Sequence, residues 1–318
     1  MQKGVFLDLA SLAPEDLDLS ALQACLPDWD LHEKTRPEER LERMKGAQVV
    51  VSNKVVLDGE LLRQLPDLKL ICVAATGTNN IDLKTASKMG IVVSNVRAYG
   101  TDSVAQHVIG VMLAHFTSLF KYTEAVKRGD WSKSDQFCLL EYPVRELRGM
   151  TIGIVGYGEL GQGVARLAEA FGMRVLIAQR PGGEPQAGRV ALDELLPQVD
   201  VLSLHVPLTD NTKHVIDRAA LEKMPSHALL VNAARGPVVD NAALADALRE
   251  GVIGGAALDV VDIEPPPEDY VLLQDDIPNL IITPHTAWAG RQARQNTVNQ
   301  IQQNIEAFIA GEPRYQVN

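Results

Sequence analysis

Thr151-Ile152-Gly153-Ile154-Val155-Gly156-Tyr157-Gly158-Glu159-Leu160-Gly161 runs from an apolar strand through a glycine turn into a helix. Each turn glycine has its own physical task. Gly156 permits the tight turn, Gly158 lets a pyrophosphate approach the backbone, and Gly161 lets helix and strand pack closely. The helix N-terminus that follows offers unpaired N–H groups to phosphates. Alone the glycine spacing is weak. Here a strand precedes it, helical spacing continues over 161–171, and another strand follows over 174–178. In that setting the spacing signifies a dinucleotide.

Outward from this unit, strand-length apolar runs recur at 48–51, 70–74, 91–94, 201–205, 228–232 and 280–283, with Val5-Phe6-Leu7 near the start. Between them, 57–65, 217–224 and 241–250 show helical apolar spacing or acidic and capping starts. Continuous apolar strands alternating with helices indicate parallel sheets covered on both faces, so the class is α/β. The alternation occurs twice. Between the two series, 104–126 reads as one extended helix, followed by an irregular, aromatic segment over 131–148. A domain boundary near Gly100 fits that break. The tail over 291–309 is helical, with Ile301, Ile305, Phe308 and Ile309 on one face, and is expected to pack back on the first domain.

Composition narrows the function classes. The 41 acidic against 30 basic residues give a net charge of −11, which leaves no electrostatic footprint for nucleic acid and little attraction to an anionic membrane. An anionic substrate must then be held by local positive groups. Cys25, Cys72 and Cys138 are too few and too scattered for a disulfide framework or a metal cluster, and they read as thiols in a reducing compartment. Met1-Gln2-Lys3-Gly4 leads straight into a strand, and no apolar run approaches the ~18 residues that span a bilayer. A cytoplasmic location is expected.

The second strand of a dinucleotide unit ordinarily ends in an acid that binds the ribose hydroxyls. Here it ends in Gln179-Arg180. Gln179 cannot repel a 2′-phosphate, and Arg180 can pair with one. The cofactor expectation is NAD(H) or NADP(H), leaning toward tolerance of NADPH.

Three further segments carry candidate chemistry at strand ends. Asn232-Ala233-Ala234-Arg235-Gly236 presents an arginine. Asp259-Val260-Val261-Asp262-Ile263-Glu264 presents carboxylates ahead of three prolines, and Thr283-Pro284-His285-Thr286 presents a histidine. Ligands of open α/β sheets bind at the carboxyl ends of strands. Reducing a 2-oxo acid requires a hydride donor, a proton for the new hydroxyl, and positive charge for the carboxylate and the polarised carbonyl. Arg235 suits the last, because a guanidinium keeps its charge in a fork geometry. His285 suits the proton, since imidazole ordinarily titrates near neutrality. Glu264 suits orienting the imidazole and favouring its protonated form.

With these stretches, and with Ala74-Ala75-Thr76-Gly77-Thr78-Asn79-Asn80-Ile81-Asp82, Tyr99-Gly100-Thr101-Asp102-Ser103-Val104-Ala105-Gln106-His107 and His205-Val206-Pro207-Leu208-Thr209, the chain resembles the D-isomer-specific 2-hydroxyacid dehydrogenase family over nearly its whole length. The resemblance implies that Arg235, Glu264 and His285 are the catalytic trio. It also implies that Ala75, Thr76, Gly77 and Thr78 bind the substrate carboxylate together with Arg235 and His285. Cofactor contacts are implied at Thr76, Glu159, Leu160, Val206, Pro207, Ala233, Ala234 and Asp259, the last beside the nicotinamide amide. Gln179 departs from the family's acid. The implied architecture is two Rossmann-like parallel-sheet domains: a substrate domain from both chain ends (1–100 and 287–318) and a nucleotide-binding domain between them (101–286). The family implies a homodimer formed through the nucleotide domain, which suits the segment 131–148. Within the family, the motifs look most like glycerate dehydrogenases, also called hydroxypyruvate reductases. Another small 2-oxo acid, such as glyoxylate, lactate or a phosphorylated glycerate, is the alternative substrate. A cofactor-sensing co-repressor is the alternative from a different class.

Overall fold

The computed structural model describes all residues, Met1–Asn318, and resolves into two compact units. The first comprises residues 1–100 and 289–318, the second residues 101–288. Ala287 and Trp288 therefore stay with the central unit, two residues beyond the expected limit. Ala287 is the reason: its N–H donates to the Asp259 carboxylate and its carbonyl accepts from Ser103 Oγ.

In the terminal unit, β1 (Lys3–Phe6), β2 (Asp28–Leu31), β3 (Val49–Ser52), β4 (Leu70–Val73) and β5 (Val92–Ser94) form one parallel sheet in the order β2-β1-β3-β4-β5. The middle strands are apolar and buried on both faces, as the continuous apolar runs require. β2 had no counterpart in the sequence reading, because Asp28 and Asp30 give it a charged, half-exposed character suited only to a sheet edge. The helix Arg291–Ile309 buries Ile301 and Ile305 in this unit. Beyond it, the Val317 N–H donates to the Val93 carbonyl and fastens the chain end to β5.

The central unit holds β6 (Thr151–Val155), β7 (Arg174–Ile177), β8 (Val201–Leu204), β9 (Leu229–Asn232), β10 (Gly255–Leu258) and β11 (Leu280–Ile282). All pair in parallel, in the order β11-β10-β9-β8-β6-β7, with a single Ala178–Val190 rung beside β7. Alternate side chains enter two separate cores. Leu202, Leu204, Leu230 and Leu258 enter one, while Val201, Leu229, Val231 and Ala257 enter the other. The strand order reverses between β6 and β8, and such a switch point opens a crevice at the carboxyl ends.

One expected element is two. The run 104–126 folds as helices Thr101–Phe116 and Leu119–Lys127, bent by 58°. Ser118 turns the chain in the left-handed region at φ 52°, its hydroxyl donating to the Pro143 carbonyl at 2.8 Å. No single helix is long and apolar enough to cross a membrane.

Candidate active site

The glycine turn meets the geometric demands of the fingerprint. Gly156 lies at φ +97°, and a Cβ there would come within 2.6 Å of the His205 backbone. A Cβ on Gly161 would sit 2.1 Å from the Gly156 carbonyl oxygen, so only glycine lets the helix Glu159–Ala170 start this close to β6. Gly158 is different, because a Cβ there would meet nothing within 4 Å. Its open side fronts a helix N-terminus with no capping side chain, which leaves the first-turn amides, including those of Glu159 and Leu160, for an anion. The cradle fits a dinucleotide pyrophosphate.

Neighbouring strand ends supply the rest of this wall. Val206 is buried against the glycine turn, 2.9 Å from where a Gly156 Cβ would lie. Pro207 follows it, its carbonyl accepting from Thr212 Oγ1 at 2.6 Å. Ala233 and Ala234 leave β9, with Ala234 buried. Burial pushes the His205 imidazole down to about 4, so it is neutral near pH 7. Its Nε2 lies 2.9 Å from Ser203 Oγ. At the end of β7, the Gln179 amide bonds to its own loop, to the carbonyls of Gln186 and Arg189 and the N–H of Gln186. Arg180 is exposed and has no carboxylate partner.

The three candidate catalytic side chains all belong to the central unit, after β9, β10 and β11. Buried Asn232 shapes the first loop: its Nδ2 donates to the Arg235 carbonyl (3.0 Å), and its Oδ1 accepts from the Ala234 N–H (3.0 Å). Arg235 is exposed, with Nη1 bonded to the Ala234 carbonyl at 2.7 Å and no carboxylate beside it. Gly236 passes so near the next loop that a Cβ would fall 1.9 Å from the Val261 carbonyl carbon. In that loop Glu264 Oε1 accepts the Val261 N–H at 3.0 Å. Glu264 Oε2 meets His285 Nδ1 at 2.7 Å. His285 Nε2 has no protein partner.

His285 occupies the left-handed region at φ 54°, where a side chain is strained unless its surroundings hold it. Asp259 does the holding. Its carbonyl accepts the His285 N–H (2.8 Å), and its carboxylate accepts Thr283 Oγ1 (2.6 Å) and the N–H groups of Thr286 (2.9 Å) and Ala287 (2.8 Å). At 4% exposure, the Asp259 carboxylate is buried among these bonds.

The terminal unit carries the segment after β4. Thr76 Oγ1 donates to the Val96 carbonyl at 3.0 Å, and Asn95 Nδ2 donates to the Thr76 carbonyl at 2.7 Å. The backbone N–H groups of Thr76, Gly77 and Thr78 have no acceptor within the protein, and Ala75 leads into them.

Sequence reasoning passed over Asn232, Thr283 and Tyr270. The Tyr270 hydroxyl donates to Asp262 and anchors the loop bearing Glu264. For Asn232 the one legible signal was a polar residue closing an otherwise apolar strand.

Comparison with known proteins places this geometry. Residues 109–287 match the family model of the D-isomer specific 2-hydroxyacid dehydrogenase NAD binding domain. A glycerate dehydrogenase of Methylorubrum extorquens is 47% identical over 315 residues, covering 98% of each chain. A hydroxypyruvate reductase of Blautia hydrogenotrophica is 37% identical over 323 residues, covering 99% of each. The solved structure of an acyclic imino acid reductase, Bsp5, in complex with NADPH and D-Arg superposes with a TM-score of 0.86 at 25% identity, over 100% of both chains. The chain belongs to the D-isomer specific 2-hydroxyacid dehydrogenases, a family of oxidoreductases, and its central unit is the family's NAD-binding domain.

Proposed function

We propose that this enzyme interconverts a small 2-oxo acid and its D-2-hydroxy acid, with hydroxypyruvate and D-glycerate as the preferred pair, and that it uses NADPH at least as well as NADH. The observation that carries the reading is the 2.7 Å Glu264–His285 pair, which fixes the imidazole by Nδ1 and leaves Nε2 without a protein partner, while Arg235 in the same unit has no counter-charge. The dinucleotide supplies the hydride. In reduction, His285 Nε2 gives its proton to the carbonyl oxygen as that oxygen becomes a hydroxyl; in oxidation the same atom takes the proton back. Glu264 holds the ring by Nδ1 and offsets the positive charge on it. Arg235 pairs with the anionic, planar substrate through its fork. In the terminal unit, the partnerless amides of Thr76, Gly77 and Thr78 suit a carboxylate.

Hydroxypyruvate is preferred because the relatives at 47% and 37% identity over nearly the whole chain are a glycerate dehydrogenase and a hydroxypyruvate reductase. NADPH use rests on Arg180 and on the missing acid at 179. A homodimer built through the segment 131–148 is part of the proposal, since Phe137 and Leu140 are 90% and 83% exposed with Trp131 half-exposed beside them. Steady-state kinetics with hydroxypyruvate, glyoxylate and pyruvate against both cofactors test the assignment, and light scattering tests the dimer. Hydroxypyruvate should give the highest kcat/KM. Pyruvate turned over tenfold better than hydroxypyruvate would overturn the substrate assignment.

A further inference from the structure

The departure at Gln179 has a structural reading that a missing acid alone does not supply. Its side chain makes three hydrogen bonds, all into the loop 180–189. Nε2 donates to the Gln186 carbonyl (3.2 Å) and the Arg189 carbonyl (3.4 Å), and Oε1 accepts the Gln186 N–H (3.1 Å). Its backbone N–H donates to the Val190 carbonyl, closing the loop's neck at 2.8 Å. A carboxylate could accept from Gln186 but could donate to neither carbonyl and would repel both. An amide is the only group of this size that satisfies all three.

The loop so closed carries two guanidinium groups at its neck, Arg180 and Arg189. Arg180 is exposed, with its stem against Gly183. Arg189 is half-buried, and neither has a carboxylate partner. A guanidinium with no carboxylate beside it keeps its fork open to an anion. Both lie after β7, the strand beside the glycine turn, on the side where the adenosine ribose of a dinucleotide on Gly158 is expected.

We propose that Gln179 is a positioning residue rather than a ribose ligand: it latches the loop 180–189 into a cradle where Arg189 joins Arg180 on the 2′-phosphate of NADPH. The proposal rests on the NADPH reading and deepens it. Because the latch acts only through the arginines, it should matter for the phosphate and not for the nucleoside.

The test measures binding of 2′,5′-ADP and 5′-AMP to the full-length enzyme, with amide hydrogen exchange over residues 181–189. Gln179→Ala should weaken 2′,5′-ADP about tenfold, as expected for loss of hydrogen bonds that position charged groups, leave 5′-AMP unchanged, and speed exchange in the loop. In an Arg180→Ala/Arg189→Ala background the effect on 2′,5′-ADP should nearly vanish, since coupled residues are not additive. Equal weakening of both probes would show that Gln179 touches the ribose directly, and unchanged exchange would show that it latches nothing; either result overturns the proposal while leaving NADPH use intact. A wild-type enzyme that binds 2′,5′-ADP no tighter than 5′-AMP would overturn the NADPH reading and the cradle with it.

Discussion

The ends of β9, β10 and β11 and the end of β7 both present charge to solvent, yet they are built in opposite ways. Behind Arg235, Glu264 and His285 stand buried polar side chains, Asn232 at 1% and Asp259 at 4% exposure, whose hydrogen bonds go mostly to backbone of the same loops. Behind Arg180 stands only the half-exposed amide of Gln179. The chemical shelf is set by the core, whereas the adenosine corner is set by its own surface loop. Proton transfer requires an atom held within hydrogen-bond reach. Attraction between a guanidinium and a phosphate falls off more slowly with distance, so a latched surface loop is enough to place it.

The largest break in this contrast comes from the shelf. His285→Ala should lower kcat by two to four decades, roughly the value of a positioned proton donor, and leave dinucleotide binding intact. Near-normal turnover would remove His285 from its role.

Acidification acts on the packing behind both regions. Burial holds His205, after β8, at about 4. It holds His115, packed against Gly255 of β10, at about 4 as well, helped by Lys121 and Arg145. Both imidazoles are neutral in the folded protein and protonate on unfolding below pH 6.5. Stability should therefore be full above pH 6.5 and fall as pH drops toward 4, by about 2 kcal/mol for each histidine at pH 5. Denaturant melts at pH 7.5 and pH 5 measure it, and equal midpoints would mean that neither histidine resists protonation.

Asn232→Ala strands the Ala234 N–H inside the protein and leaves the Arg235 carbonyl with the Val238 N–H alone. It should cost about 1–3 kcal/mol of stability and raise KM for the acid, with KM for NADPH moving less. An effect on stability alone would mean that Asn232 supports the strand and not the arginine. The smallest change belongs to the corner. Arg180 is exposed, so Arg180→Ala should cost NADPH about 1 kcal/mol, roughly fivefold in KM, and NADH nothing. Equal losses for the two cofactors would remove the 2′-phosphate from its contacts.

Legibility in the sequence followed the same division. Parallel strands buried on both faces appear as unbroken apolar runs such as Val49-Val50-Val51, so the α/β class and most of both sheets could be read directly. β2 could not, because Asp28 and Asp30 break the apolar pattern that an edge strand does not need. The bend at Ser118 was hidden too, since no glycine or proline marks it. Arg235, Glu264 and His285 were legible because reactive residue types stood at strand ends. Asn232, Asp259 and Gln179 hold loops through amide and carbonyl groups that every residue carries, so no spacing betrays that work.

Gly236 carries a consequence for mutational maps. With the Val261 carbonyl carbon 1.9 Å from where its Cβ would stand, any side chain there must force apart the two loops that bear Arg235 and Glu264. A saturation scan scored on growth should rank position 236 with the proposed catalytic trio, although glycine has no group that could react. Ranking by intolerance would thus nominate a residue whose whole contribution is to take up no room.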